Sequence, residues 1–448
     1  MLWSDAVARI LILATTTGYQ TRAFGEAAER LGVELVFATD RCHQIDDPWQ
    51  DAAIPIRFYD EAASVDAILQ AASQRPIDGI LVVGDRPTVI AARVAEALGL
   101  PSHSPKAAAI ARNKQLTRER LHEAGLPAPW FQTASVTVDP DALAASVTFP
   151  CVVKPLALSG SRGVMRADDP ASFRDAGLRL RALLESPDIR AERNDAHQTM
   201  LVEGFIPGRE VALEGLLHHG ALYVLALFDK PDPLDGPYFE ETIYVTPSSL
   251  PAEGQQAIVD AVTCACAAIG LAHGPIHAEC RVNEGGVFVL EVAARPIGGL
   301  CARALRFEGD GSRYYRCTGD GSPYGTGSRP PYSLEELLLR HALGESPDTW
   351  HREPSASGVM MIPIPRRGVF RGVAGLDAAR LVDGVEDIRI TAKDDQVLVP
   401  LPEGASYLGF IFARAGSSAA VDRALRAAHA RLQFAIDPEV LVVQSRHG

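Results

Sequence analysis

The sequence predicts a multidomain protein of mixed α/β and α+β class, and three observations predict it. Strand-like and helix-like stretches alternate through the first hundred residues, strand pairs with interspersed helices fill the middle, and a glycine-rich polar stretch then gives way to a β-rich end. At 448 residues the chain exceeds what one hydrophobic core serves, and length alone argues for about three domains.

In the first hundred residues "RILILATT" reads as a buried strand, "TRAFGEAAERLG" as a helix stopped at Gly32 and "VELVFAT" as a second strand. "GILVVGD" follows as another strand, after a helix around Ala62 to Ala72. This βαβ order predicts a parallel sheet with helices on both faces. "ATTTGYQ" stands where a dinucleotide fingerprint would, but its single glycine speaks against an oxidoreductase. The apolar run from Ile10 to Ala14 is short for a signal peptide, and no later run approaches the roughly 20 apolar residues that span a bilayer. Seven cysteines without a CxxC pair read as reduced thiols, so a cytoplasmic protein without membrane partners is expected. A net charge of -13 argues against nucleic-acid binding and leaves small molecules or protein as partners.

From Ser104 two short helices are expected, with Asn113 capping the second and Gly125 stopping it. Strands follow in "CVVKP", "GVMRA", "TMLVEGFI", "EVALEGLLHHGALYVLALF", "IHAECRV" and "GVFVLEVAA", which describe an α+β unit distinct from the first. Residues 308–331, rich in glycine and polar side chains, read as a flexible insertion or lid. A helix in "SLEELLLRHALG", β-rich sequence and an amphipathic helix near Ala419 to Leu432 close the chain.

The chemistry begins in "HAECRVNEGGVFVLEVAARPIGG". A three-residue loop Glu284-Gly285-Gly286 would pair Asn283 with Val287 and so set Glu279 opposite Glu291, Cβ atoms about 5 Å apart. Facing carboxylates ask for a cation, and Mg²⁺ fits; the plainer reading is two exposed glutamates. Arg295 stands four residues after Glu291, where it can hold phosphate or carboxylate through two bonds, and Gly298 and Gly299 let backbone approach a ligand. Lys154 ends an apolar strand. With the small residues Ser159, Gly160, Ser161 and Gly163 after it, it reads as a clamp on nucleotide phosphates, otherwise as an edge lysine. Because "GVMRA" resumes as a strand, that loop would act as a flap without a helix behind it. "LVEGFIPGREV" offers backbone for a purine edge and a carboxylate for a ribose, or is an ordinary hairpin. His277 shares the face of Glu279, to contact substrate or pack, and Lys230 lies in a polar stretch expected to border the substrate pocket.

Taken together, "ARNK", "FPCVVKPLALSGSRGV", "VEGFIPGREV" and "GPIHAECRVNEGGVFVLEVAARPIGG" resemble, in order and spacing, the ATP-grasp superfamily, and within it the carboxylate–amine ligase branch that includes bacterial L-amino-acid (dipeptide) ligases. The resemblance implies a Rossmann-like N-terminal domain over 1–104 and an ATP-grasp domain over 105–307, its subdomains dividing near 205. The insertion over 308–331 and a C-terminal domain over 332–448 would follow. It implies ATP phosphates on Lys114 and Lys154, a lid over Ser159 to Gly163, adenine beside Glu203 and Ile206, and ribose on Glu210. Glu279 and Glu291 would hold Mg²⁺, with Mn²⁺ as its substitute, and Arg295 would steady the acyl phosphate. Ala293 stands where many relatives carry a metal-site Asn, which bears on a second ion. The implied activity is ATP-dependent joining of a small carboxylate to an amine, with release of ADP and phosphate, in a chain that could form homodimers. A bicarbonate-activating, biotin-carboxylase-like enzyme and a non-catalytic nucleotide binder are the competing readings.

Overall fold

The computed structural model describes residues 7–15, 18–40, 53–309 and 331–438. The expected lid at 308–331 falls almost wholly on 310–330, outside the described residues, and only its ends are seen: Glu308 pairs with His351 in a short two-stranded sheet.

The N-terminal sheet is parallel, as the βαβ order predicts, in the order Ile54–Pro55, Glu34–Thr39, Arg9–Ala14, Gly79–Val83. Arg9–Ala14 is central, so both of its faces are covered. Leu11 and Leu13 pack with Val36, Ile68 and Ile90, whereas Ile10 and Ile12 pack with Phe24, Ala27 and Leu81. The second face is closed by the helix Leu334–Ala342, whose Leu334 and Leu338 join that core. The contact is close enough that a Cβ on Gly79 would lie 2.7 Å from the Ala342 carbonyl. A domain boundary at 332 therefore puts this helix on the wrong side.

The middle begins as expected: Pro105–Arg112 and Lys114–Glu123 are helices, and the Asn113 side chain accepts from the Gln115 and Leu116 amides. A four-stranded antiparallel sheet follows, in the order Phe131–Ser135, Thr199–Gly204, Cys151–Pro155, Met165–Ala167, backed by the helix Pro170–Leu184. The largest sheet is antiparallel and eight-stranded. Its order is Gly286–Ala293, Gly274–Asn283, Arg209–His218, Ala221–Asp229, Ile243–Thr246, Ala356–Ile362, Gly409–Ala415, Val385–Ile390. Ile243–Thr246 thus joins the expected second subdomain to the expected C-terminal domain through backbone pairing, and no sheet edge separates them. The helices Ala252–Ile269 and Ser418–His429 cover its two ends. No helix among the described residues is long and apolar enough to cross a membrane.

Candidate active site

Strand period places the acidic residues. Along Arg209–His218 the odd positions Val211, Leu213 and Leu217 enter one core, so Glu210 and Glu214 share the other face. The neighbouring strand sets Arg281 beside Glu210, Glu279 beside Ala212 and His277 beside Glu214. The next strand sets Glu291 opposite Glu279, as expected, but by another route. The hairpin turns on two residues, Glu284 and Gly285, with Asn283 paired to Gly286. Alone, that register would send Glu291 to the opposite face. A bulge at Leu290 shifts the register by one residue and returns Glu291 to the face of Glu279.

Lys230, in the segment after Ala221–Asp229, meets three protein carboxylates: Glu210 at 2.8 Å, Glu279 at 3.2 Å, and Glu241 in a short contact. It does not line the cavity, so its expected role as a substrate contact gives way to a buried counter-ion. Burial opposes its charge, but the three carboxylates more than offset this and raise its pKa. Glu241 goes the other way, raised to about 7 by burial and by the negative charge of Glu279. Glu210 spends its oxygens on Lys230 and on Arg281 Nε at 3.0 Å.

Lys154 and Glu203 form a buried pair, and Arg118 holds the same carboxylate through Nε at 2.8 Å and Nη2 at 3.2 Å. Burial disfavours the Glu203 charge, yet the two cations bring its pKa down to about 2. Lys154 shares that one anion with Arg118; burial and the repulsion from Arg118 and Lys114 leave it at about 8. Lys114 Nζ donates to the Leu158 carbonyl at 2.8 Å and lies 3.2 Å from Glu291 Oε2, spanning loop and hairpin. Between the strands, residues 160–163 form a turn with positive φ at Gly160 (63°), Ser161 (54°) and Gly163 (75°). Gly163 does not face the cavity as expected: its amide donates to the Pro402 carbonyl at 2.8 Å, and a Cβ there would press on Leu180 and Leu183.

Arg295 reaches Asp85, just beyond the parallel strand Gly79–Val83, at 3.0 and 3.3 Å. Burial works against both charges, but each partner stabilises the other: Asp85 falls below and Arg295 rises above its ordinary value. His277 Nδ1 lies 3.1 Å from Glu214 and Nε2 3.7 Å from Glu279. Burial would lower the imidazole, but hydrogen bonding to the two carboxylates raises it to about 9, so it is cationic at neutral pH. Glu214 in turn accepts from the Ile297 amide at 3.0 Å, which ties the strand to the loop carrying Gly298 and Gly299.

These groups surround one cavity of about 520 Å³. Lys114, Lys154, Ser159, Gly160, Ser161, Glu203, Ile206, Glu210, His277, Glu279, Glu291, Arg295, Gly298 and Gly299 all line it; of the expected residues only Lys230 and Gly163 do not. Asp85, Glu241, Tyr244 and Arg281 also line it and were not singled out from the sequence. The "GD" ending a strand, the acids of "FEETIY" and the alternation in "HAECR" were the available signals. The residues fit a hard divalent cation. Glu291 opposes Glu279 on the neighbouring strand, so two carboxylates face one another beside the cavity, whereas the cluster of Glu210, Glu241 and Glu279 closes on Lys230.

An antiparallel sheet and a large palm of strands closing on a cavity lined by two lysines, a glycine turn and paired glutamates define the ATP-grasp class. Residues 147–304 match the model of the ATP-grasp domain, 25–102 that of the ATP-grasp N-terminal domain, and 360–437 that of L-amino acid ligase C-terminal domain 2. The crystal structure of L-amino acid ligase from Bacillus licheniformis superposes with a TM-score of 0.78 at 27% identity, covering 97% of this chain and 100% of that one. Alanine–anticapsin ligase of Bacillus subtilis is 26% identical over 257 residues, covering 53% of this chain and 52% of that protein. Carnosine synthase 1 of Gallus gallus is 30% identical over 258 residues, covering 55% and 27%. The chain thus spans about half or less of the length of these two curated relatives. The chain carries an ATP-grasp domain between an ATP-grasp N-terminal domain and an L-amino acid ligase C-terminal domain, and these matches support the carboxylate–amine ligase branch of the ATP-grasp superfamily.

Proposed function

We propose that the protein activates a small carboxylate, of the amino-acid class, as an acyl phosphate with ATP and joins it to an amine, releasing ADP and phosphate. The observation that carries this reading is the convergence of Lys114, Lys154, Glu279, Glu291 and Arg295 on one cavity. The named activities of the relatives, an alanine ligase and an L-amino acid ligase among them, support the substrate class.

Lys154 and Lys114 bind the phosphates, and the turn at 160–163 lies over them, its Gly163 amide tied to Pro402 and its Gly160 and Ser161 at positive φ towards the cavity. A divalent cation on Glu279 and Glu291 would neutralise charge on the transferring phosphoryl group. The carboxylate oxygen attacks the γ-phosphorus and ADP leaves; Arg295, fixed by Asp85, holds the acyl oxygen as the amine nitrogen attacks the acyl carbon and phosphate departs. The amine must lose a proton to attack, and Glu241, at about 7, is matched to take it. Tyr407 and Phe410 wall the cavity and help exclude water, which would hydrolyse the acyl phosphate.

The test is an ADP-release screen of amino acids, singly and in pairs, with mass detection of products. ADP formed only with an acid and an amine together, alongside the condensed product, supports the proposal. ADP release driven by bicarbonate alone, or nucleotide binding without turnover across the panel, overturns it.

A further inference from the structure

Five histidines gather at the end of the large sheet remote from the glutamates. His218 ends the strand Arg209–His218, His219 follows in the turn, His273 precedes Gly274–Asn283, His341 lies in the last turn of Leu334–Ala342, and His103 packs below. Glu214 and His218 lie four residues apart on one strand, so the cluster sits about 13 Å beyond the cavity floor. None of the five lines the cavity.

One ring nitrogen from each of His218, His273 and His341 lies within 4.8 Å of the other two. His218 Nδ1 and His341 Nε2 share a hydrogen bond of 3.2 Å, which an ion would replace. Tetrahedral zinc, with Zn–N of about 2.0–2.1 Å, needs its ligand nitrogens about 3.3 Å apart, so this pair already stands at ligand spacing. The His273 and His341 rings lie face to face with centroids 4.5 Å apart. Only 6% of His273 and 3% of His341 is exposed, whereas His218 is half-buried and leaves a way in. Second contacts orient the rings: His273 Nδ1 accepts from the His219 amide, and Asp348 lies near enough to act on His218.

Three imidazoles rarely share so small a volume without reason, because any proton there is repelled by the next ring. Metal ligation takes neutral imidazoles, and rings buried and crowded in this way favour that form. Imidazole donors without a carboxylate among the ligand atoms select borderline transition metals over Mg²⁺ or Ca²⁺.

We propose that His218, His273 and His341 form a second metal site, for Zn²⁺ or a similar borderline dication, separate from the catalytic cavity. The ion ties the helix closing the N-terminal sheet to the strand that carries Glu210 and Glu214. It is a structural or regulatory clip, and it takes no part in phosphoryl transfer.

The test uses the untagged full chain, stripped with chelator and titrated with Co²⁺. One equivalent should bind with the visible bands of low-coordinate cobalt, Zn²⁺ should displace them, and millimolar Mg²⁺ should not. His341→Gln, and separately the milder His218→Gln, should each weaken Co²⁺ binding at least tenfold, while Glu279→Gln leaves the bands intact. Zn²⁺ should raise the melting temperature of the wild type but not that of His218→Gln. Absence of stoichiometric Co²⁺ binding, bands unchanged in His218→Gln, or bands lost in Glu279→Gln overturns the proposal.

Discussion

Arg295 grips Asp85 with two nitrogens, Nε at 3.0 Å and Nη2 at 3.3 Å, joining the edge of the acidic hairpin to the parallel N-terminal sheet across 210 residues of sequence. A guanidinium so held is fixed in direction, which an acyl oxygen requires and a mobile arginine could not supply. Asp85→Ala leaves the part-buried Arg295 without its carboxylate partner and should cost about 1–3 kcal/mol of stability, with a rise in KM for the carboxylate. Arg295→Ala should abolish ADP formation while the protein stays folded by circular dichroism. Wild-type turnover in Arg295→Ala would remove the residue from the site.

Glu279→Gln and Glu291→Gln keep side-chain shape but remove the opposed negative charges. Each should lower ADP formation by about 10²-fold or more, with melting temperature close to that of the parent. Chelation of divalent ions should give the same loss, reversed by Mg²⁺ or Mn²⁺. If either glutamine variant turns over normally, the cation is held elsewhere.

The pH dependence of nucleotide capture should come from Lys154. Burial and neighbouring cations place it at about 8, so the charge that meets phosphate is present below that pH and lost above it. Accordingly kcat/KM for ATP should fall with rising pH through about 8 as a single-proton limb. Lys154→Arg keeps its charge and should lose the limb. An identical limb in Lys154→Arg would assign it to another group.

The glycine turn is latched by a loop from the far end of the chain. Glu403 binds Arg179 Nε and Nη2 at 2.9 and 3.0 Å, its carbonyl accepts from Arg162 Nε at 2.8 Å, and Pro402 accepts from the Gly163 amide. Because the ion pair is half-exposed, Glu403→Ala should change global stability by less than about 1 kcal/mol. It should nevertheless raise amide exchange over 159–164 and increase KM for ATP several-fold. Unchanged exchange there would show that the pair holds nothing in place.

The legible part of this site was its local part. Asn113, the strand end near Lys154, and the facing of Glu279 and Glu291 follow from caps, apolar runs and period two. The facing was inferred with a three-residue loop, whereas a two-residue loop and a bulge at Leu290 produce it; the two differences cancel. Bulges carry no strong sequence mark, so that register was not readable. The Lys230–Glu241 and Arg295–Asp85 pairs were also hidden, because each depends on how separate elements pack. The same reason hid the continuity of the eight-stranded sheet across residue 332, where a glycine-rich stretch looks like a domain boundary but the strands pair on either side of it.

Substrate size should be set at Gly298. It lines the cavity beside Arg295, and a Cβ built there meets nothing within 4 Å, so a side chain enters open space. Gly299 differs: its φ of +63° disfavours any side chain, and a Cβ would press on the Phe410 ring at 3.2 Å. Gly298→Leu should therefore fold like the parent and fill part of the pocket, shifting kcat/KM towards smaller acids or amines by about 10-fold or more while leaving KM for ATP unchanged. Gly299→Leu should lose stability through strain. If Gly298→Leu leaves the preference among substrates unaltered, the substrates occupy another part of the cavity, and Arg295 would then have to reach them from a different side.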